Sequence, residues 1–133
     1  MAERIDYGYV EKVDLSFAET VQRVRELLKG EGFGILCEID VSKTLKEKAG
    51  VNFQPYLIFG ACNPQLAHKA LSVEAQLGLL LPCNVVVQVK DGSTVVSAVD
   101  AVKMLQVVGN PKLREVALDA NERLQRVMQA LAP

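Results

Sequence analysis

The fold is decided by the stretch VVVQVKDGSTVVSA, residues 85–98. Two segments rich in β-branched residues, 85–89 and 94–98, flank the pair Asp91-Gly92. Asp-Gly is a strong signal for a two-residue hairpin turn, because both residues tolerate the positive φ angles that such a turn requires. The chain therefore contains antiparallel strand pairing, whatever the rest of its topology.

Outside the hairpin, apolar strands alternate with helices that have recognisable starts. Further strands are predicted at residues 7–13, 33–40 and 56–61. Helices are predicted to follow the capping residues Ser16, Asn63, Asp100 and Asn110, with a further short helix over 42–49. Ser, Asn and Asp side chains accept hydrogen bonds from the free N–H groups of a helix start, and Pro after Asn suits the first helical position.

The last predicted helix, after Asn110-Pro111, has the clearest periodicity. Its apolar residues recur every three or four positions, at Leu113, Val116, Ala117, Ala120, Leu124, Val127, Met128 and Leu131. We therefore expect an α+β fold, with a mixed, mainly antiparallel sheet, helices packed on one side and a long amphipathic C-terminal helix. A chain of this length is expected to form a single globular domain over residues 1–133.

Composition and charge argue against two classes of partner. Half of the residues are hydrophobic, 23% are charged, and the net charge is −1 with both signs interleaved. No basic patch indicates a nucleic-acid partner, and no apolar run approaches the ~18 residues of a membrane span. The first residues lack the features of a signal peptide, and the three cysteines form no CxxC pair. We therefore expect a cytoplasmic protein with free thiols.

The candidate functional residues concentrate in residues 61–84, which contain two of the three cysteines and the only histidine. Cys62 directly precedes the Asn63 helix cap, where helix N–H groups would stabilise a thiolate and lower the thiol pKa. His68 lies at the edge of that helix's apolar stripe, within possible reach of Cys62 as its base. The alternative is a small buried cysteine and a surface histidine.

The contribution of Cys83 depends on topology. If the strands at 56–61 and 85–89 pair antiparallel, Cys62 and Cys83 lie at the same sheet edge. A parallel crossover would instead separate them by ~20 Å, at ~3.3 Å per residue. Only the antiparallel arrangement supports a shared site.

The strand at 33–40 supplies the acidic candidate. Strict alternation would place Cys37 on the face of Phe33 and Ile35, as a small core residue, and Glu38 on the opposite face. Glu38 in an apolar strand is either a general acid or base with a pKa raised by burial, or a solvated strand end. Asp40 is expected to cap the following helix.

The sequence does not identify a metal or a cofactor. The spacing Cys62-x5-His68-x14-Cys83 matches no compact zinc pattern, although Cys and His are ligands for soft cations. The glycine-rich run at 30–34 follows a helix, whereas a phosphate-binding loop precedes one. The sequence therefore leaves both the metal and the cofactor unknown.

The chain resembles the domain of unknown function 302 family over residues 32–40, 57–64, 67–71 and 78–85. The positions that carry the resemblance are Glu38, Asp40, Cys62, Pro64, His68, Pro82 and Cys83. The resemblance implies a compact α+β domain and supplies no established reaction.

Two functions follow as hypotheses. The first is a ligand-binding or thiol-dependent site built from Cys62, His68, Cys83 and Glu38, with redox or nucleophilic chemistry and a small-molecule ligand. The second is a non-enzymatic homodimeric interaction module, because a strand such as 85–89 carries apolar residues on both faces and requires cover on both sides.

Overall fold

The computed structural model describes residues 3–133. Within them the strands are β1 (Glu3–Ile5), β2 (Gly8–Val13), β3 (Gly34–Asp40), β4 (Tyr56–Cys62), β5 (Cys83–Lys90) and β6 (Ser93–Val99). The α-helices are α1 (Phe17–Gly30), α2 (Val41–Ala49), α3 (Pro64–Val73), α4 (Ala101–Gln106) and α5 (Arg114–Leu131). Short 3-10 turns at Ala75–Leu79 and Pro111–Leu113 follow α3 and precede α5.

The strands form one six-stranded sheet in the order β1-β2-β6-β5-β4-β3. Every neighbouring pair is antiparallel. The predicted α+β class and the long C-terminal helix are confirmed. The edge strand β1 was not predicted, because its three residues are too few to show a period of two.

The hairpin has the turn that its sequence predicts. Asp91 and Gly92 have φ angles of 51° and 77°, the positive values required at both central residues of a type I′ turn. Lys90 is opposite Ser93 at the turn, and Val85 is opposite Ala98 at the far end. The turn therefore sets the register of the two central strands.

One face of the sheet is covered by helices and forms the core. In β5 and β6 the fully buried residues Val85, Val87 and Val96 alternate with partly exposed ones. The helices α1 and α5 supply the opposing apolar residues, among them Val24, Leu28, Leu124, Val127 and Met128. The apolar faces of α1 and α5 are thus buried against one face of the sheet, as the amphipathic periodicity of these helices predicts.

Ser16, Asn63 and Asp100 cap α1, α3 and α4 as predicted, whereas Asn110 caps the 3-10 turn Pro111–Leu113 and the start of α5 has no side-chain cap. Ser16 Oγ accepts from the Glu19 N–H, and Asn63 Oδ1 accepts from the Leu66 N–H. Asp40 Oδ1 accepts from the Lys43 N–H at 3.0 Å and from the Ser42 hydroxyl at 2.8 Å. These two bonds hold the pKa of the Asp40 carboxyl below its ordinary value, so the expected capping role of Asp40 is confirmed.

A β-bulge changes the faces of β3. Ile35 is opposite Ala61, but Cys37 is opposite Gly60, so Leu36 is an extra residue in the ladder. The extra residue reverses the alternation. Ile35 packs against the core, whereas Cys37 is exposed. The prediction of a core position for Cys37 is therefore wrong, because it assumed an uninterrupted period of two.

Candidate ligand-binding site

The sheet topology brings two of the candidate residues together. β4 and β5 pair antiparallel, and Ala61 is the register partner of Cys83. Cys62 is the last residue of β4 and Cys83 the first residue of β5. Both cysteines therefore lie at the same edge of the sheet, which is the arrangement that a shared site requires.

Both cysteines also line one cavity of about 230 Å³. The cavity lies between this edge of the sheet and the helices α3, α4 and α5. Its wall consists of Phe33, Leu36, Ala61, Cys62, Asn63, Leu66, Ala67, Ala70, Leu71, Leu81, Pro82, Cys83, Ala101, Met104, Leu105, Val116 and Ala120. The wall is thus built mainly from the apolar faces of these elements.

The wall is almost entirely apolar. Among the described residues that line it, none is charged and none is a histidine. Asn63 contributes an amide, but its oxygen already accepts the capping hydrogen bond from Leu66. Leu36 and Leu71 are 66% and 40% exposed, so the cavity has an apolar rim that faces water. An exposed apolar rim around a concave apolar site is typical of a binding pocket.

The environment favours the neutral form of both thiols. Burial raises the pKa of Cys62. Burial, with a smaller contribution from nearby Cys62, raises the pKa of Cys83 to about 11. The expected decrease of the Cys62 pKa is therefore wrong. The apolar wall disfavours a thiolate, and one donor of the α3 start is already bonded to Asn63.

His68 lies outside the cavity wall. It is exposed on α3, and its backbone carbonyl accepts a hydrogen bond from the Ser72 hydroxyl at 2.7 Å. The helix turns its Leu66 and Ala70 side inward, so the imidazole faces water and not the cavity. A chemical role for His68 stays a prediction.

Glu38 is also outside the wall. The bulge places it opposite Phe59, on the helix-covered face of the sheet. There it forms an ion pair with Arg25 of α1, whose guanidinium lies over the Phe59 ring. Both charged side chains are about two-fifths exposed. A role for Glu38 as general acid or base stays a prediction, separate from the cavity.

Within residues 3–133, no three side chains of His, Cys, Asp or Glu converge in a way that would hold a metal ion. The four candidate residues therefore do not form one ligand set.

In the same part of the chain, no helix is both long and apolar enough to cross a bilayer.

Several cavity residues were not recognised as site residues from the sequence. Leu66, Ala67, Ala70 and Leu71 have the helical spacing of an ordinary core face, and Met104 lies on the short helix α4. Nothing in their spacing separates a residue that fills a core from one that lines a cavity. Leu36 was not predicted to line the cavity for a different reason, because its position depends on the β-bulge.

Comparison with known proteins identifies a family and a solved structure. The family described as "Domain of unknown function DUF302" matches residues 9–131. The crystal structure of an uncharacterized conserved protein DUF302 from Bacillus stearothermophilus is 33% identical, with a TM-score of 0.89. The match covers 96% of this chain and 99% of that one. The search of curated proteins found no match.

Proposed function

Because the chain belongs to the DUF302 family and the matching region contains the whole cavity wall, we propose that the domain binds a small apolar molecule beside Cys62 and Cys83. The observation that carries this proposal is the apolar cavity with its exposed leucine rim. Water in such a site lacks hydrogen-bond partners, so an apolar ligand displaces it favourably.

The cavity size limits the ligand. Its volume of about 230 Å³ exceeds the roughly 150 Å³ that suffices for benzene. It is smaller than the roughly 300 to 1,000 Å³ of pockets for drug-sized molecules. The fitting class is therefore a molecule of one or two rings, or a short aliphatic chain.

The cysteines contribute as neutral wall residues in this proposal. A thiol behaves as a small apolar group with weak hydrogen-bonding capacity. Since the pKa values of Cys62 and Cys83 are both raised, few thiolates are present at neutral pH, and a nucleophilic role has less support than binding.

Indole is a suitable first probe, because the chain contains no tryptophan. Indole emission shifts to shorter wavelength in an apolar site, and excitation beyond the tyrosine band reports only the probe. We expect a saturable blue shift on titration with protein. Toluene and 1-hexanol, followed by thermal denaturation, extend the test. The absence of binding for all three probes would overturn the proposal.

A matched pair of variants on α3 locates the binding. Ala67 lines the cavity and is half-buried, whereas Gln65 is exposed on the same helix. We expect Ala67→Leu to fill the cavity and weaken indole binding at least tenfold, while Gln65→Leu leaves it unchanged. Circular dichroism confirms that both variants are folded. Equal binding by Ala67→Leu would show that indole binds elsewhere.

The open face of the sheet favours the second candidate function, a homodimeric interaction module. A shallow groove of about 920 Å³ runs over this face. The partly exposed apolar residues Val10, Val86, Val95 and Val99 line it. An antiparallel sheet can leave one face in water, so the support for a dimer is the apolar character of these four valines, which a second copy of the chain would cover.

Sedimentation velocity tests the dimer. We expect wild-type protein to sediment as a dimer and Val86→Lys to sediment as a monomer. Val51→Lys changes an exposed valine outside the strands and serves as the control. A monomeric wild type at high concentration would remove this candidate.

The proposal also includes a cellular compartment and the absence of a nucleic-acid partner. The free thiols of Cys37, Cys62 and Cys83 support a reducing, cytoplasmic compartment. The balanced, interleaved charges support a protein without a nucleic-acid partner. Retention of purified protein on heparin at physiological salt would contradict the second point.

A further inference from the structure

The opening of the cavity has an apolar border. Of the described residues that line the cavity, only Leu36 of β3 and Leu71 of α3 are exposed, and every other one is buried or half-buried. We propose that the cavity binds the tail of a linear aliphatic carboxylate, which passes between Leu36 and Leu71 and leaves its head group in water beside His68. This inference rests on the proposed function and names the class of its ligand.

The β-bulge places Leu36 at this opening. Ile35 is opposite Ala61 and Cys37 is opposite Gly60, so Leu36 is the extra residue of the ladder. A bulge bends its strand and changes the direction of a side chain. The result here is a leucine that lines the cavity and is also 66% exposed. The apolar surface therefore continues from the cavity into water.

The exposed border favours a chain over a ring. Leu71 is 40% exposed, although it lies on the stripe of α3 that lines the cavity with Ala67 and Ala70. A ring molecule that fits wholly within about 230 Å³ leaves both border leucines in water. A linear chain that extends past the cavity covers them, and removing apolar surface from water is favourable.

The head group of the ligand has to lie outside the cavity. Among the described residues of the wall, none has a charged side chain. The Asn63 amide oxygen already accepts from the Leu66 N–H, and thiols such as those of Cys62 and Cys83 are weak hydrogen-bonding groups. A carboxylate inside this wall would lose its hydrogen bonds to water without replacement, which is costly. Only the aliphatic tail therefore enters.

His68 lies next to the border on the outer surface of α3. It precedes Leu71 by three positions, and residues at this spacing are neighbours on a helix surface. It is exposed and directly follows Ala67 of the cavity wall. An imidazole N–H donates a hydrogen bond to a carboxylate oxygen. Since α3 also carries Lys69 and no acidic residue, an anionic head group is favoured over a cationic one.

Titration calorimetry with hexanoate, octanoate and decanoate tests the tail. The extended tail of decanoate is longer than a compact cavity of about 230 Å³ is wide. We expect affinity to rise about fourfold for each added methylene group and to keep rising up to decanoate, because the border leucines cover the part of the chain that leaves the cavity.

Leu36→Ala and Leu71→Ala test the border. We expect each variant to bind hexanoate within about twofold of wild type and decanoate about fivefold or more weakly, because only the longer tail reaches these side chains. Ile39→Ala and Leu118→Ala are the matched controls, since these residues are 46% and 40% exposed and lie outside the cavity wall. Both controls should bind all three carboxylates as wild type does.

His68→Ala tests the head group. We expect octanoate to bind about threefold more weakly, the scale of an exposed charged contact, and toluene, which has no head group, to bind as before. Gln65→Ala is the control, because Gln65 is exposed on the same helix and lies outside the wall. Unchanged octanoate binding in His68→Ala would overturn the placement of the head group beside this residue.

Two outcomes would overturn the carboxylate class while the proposed binding of apolar molecules stands. In the first, indole and toluene bind but affinity stops rising at hexanoate. In the second, Leu36→Ala and Leu71→Ala both bind decanoate as wild type does. If indole, toluene and 1-hexanol fail to bind together with all three carboxylates, the proposed function itself is wrong and this inference falls with it.

Discussion

Ala61 and Cys83 face each other across the antiparallel β4–β5 ladder, and this pairing places Cys62 beside Cys83. The relationship converts two cysteines that are distant in sequence into neighbours in one cavity wall. Their shared position also explains their chemistry, because the apolar wall that both line disfavours their ionisation.

Thiol alkylation should follow exposure. At neutral pH we expect iodoacetamide to modify Cys37 first, Cys62 more slowly and Cys83 last, because Cys37 is exposed and the other two are covered with raised pKa values. Peptide mass spectrometry over time gives the order, and Cys37→Ser identifies the fast phase. A fast-reacting Cys62 would restore the activated-nucleophile hypothesis.

Cys83 should make stability depend on pH in the alkaline range. Its pKa rises from an ordinary 9.0 to about 11 on folding, so the folded protein retains a proton that the unfolded chain loses. The stabilisation is complete below about pH 9 and is lost as pH rises to about 11, and amounts to roughly 2 to 3 kcal/mol at most.

Urea denaturation of wild type and Cys83→Ala at several pH values measures this effect. The advantage of wild type over the variant should shrink between pH values of about 9 and 11, while titrations shared by both proteins cancel. A constant difference across that range would contradict the raised pKa.

Gly60 provides the space in which two neighbours approach. A Cβ atom at position 60 would lie 2.6 Å from Cys37 Sγ and 2.8 Å from Pro82 Cγ. We expect Gly60→Ala to lower the free energy of unfolding by about 1 to 3 kcal/mol through overpacking. Adding Cys37→Ala removes one of the two clashes and should recover part of the loss. If the stability changes of Gly60→Ala and Cys37→Ala simply add in this double-mutant cycle, the contact with Cys37 does not account for the loss of stability.

Tyr9 connects the edge of the sheet to α5. Its Oη accepts from Arg4 Nη1 at 2.7 Å, Asn121 Nδ2 at 2.9 Å and Gln125 Nε2 at 3.0 Å. We expect Tyr9→Phe to lower the free energy of unfolding by about 1 to 3 kcal/mol, because the buried Asn121 amide loses its acceptor. Tyr7→Phe is the control, since Tyr7 is 70% exposed. Equal stability of the two variants would show that water replaces the phenol.

Thr20 offers a stabilising change. Its Oγ1 is buried and has no hydrogen-bond partner among residues 3–133. Thr20→Val retains the shape and removes the unsatisfied hydroxyl, so we expect thermal denaturation to show about 1 kcal/mol of added stability. Thr44→Val, on an exposed position of α2, should bring no such gain. A loss of stability in Thr20→Val would indicate a hydrogen bond to water.

The sequence by itself determined the local elements. Asp91-Gly92 specified the hairpin turn, Ser16, Asn63 and Asp100 specified helix starts, and the apolar period of α5 specified its buried face. These features depend on backbone conformation and on hydrogen bonds within a few residues. The same local chemistry identified Cys62 and Cys83 as residues worth locating.

Only the tertiary structure decided which of the candidates meet. Strand pairing placed Cys62 beside Cys83, the bulge at Leu36 moved Cys37 out of the core, and α3 turned His68 toward water. The cavity likewise formed where α3, α4 and α5 meet the sheet edge. The physical reason is that register, bulges and cavities arise from contacts between distant segments, whose energies have no signature in the spacing of neighbouring residues.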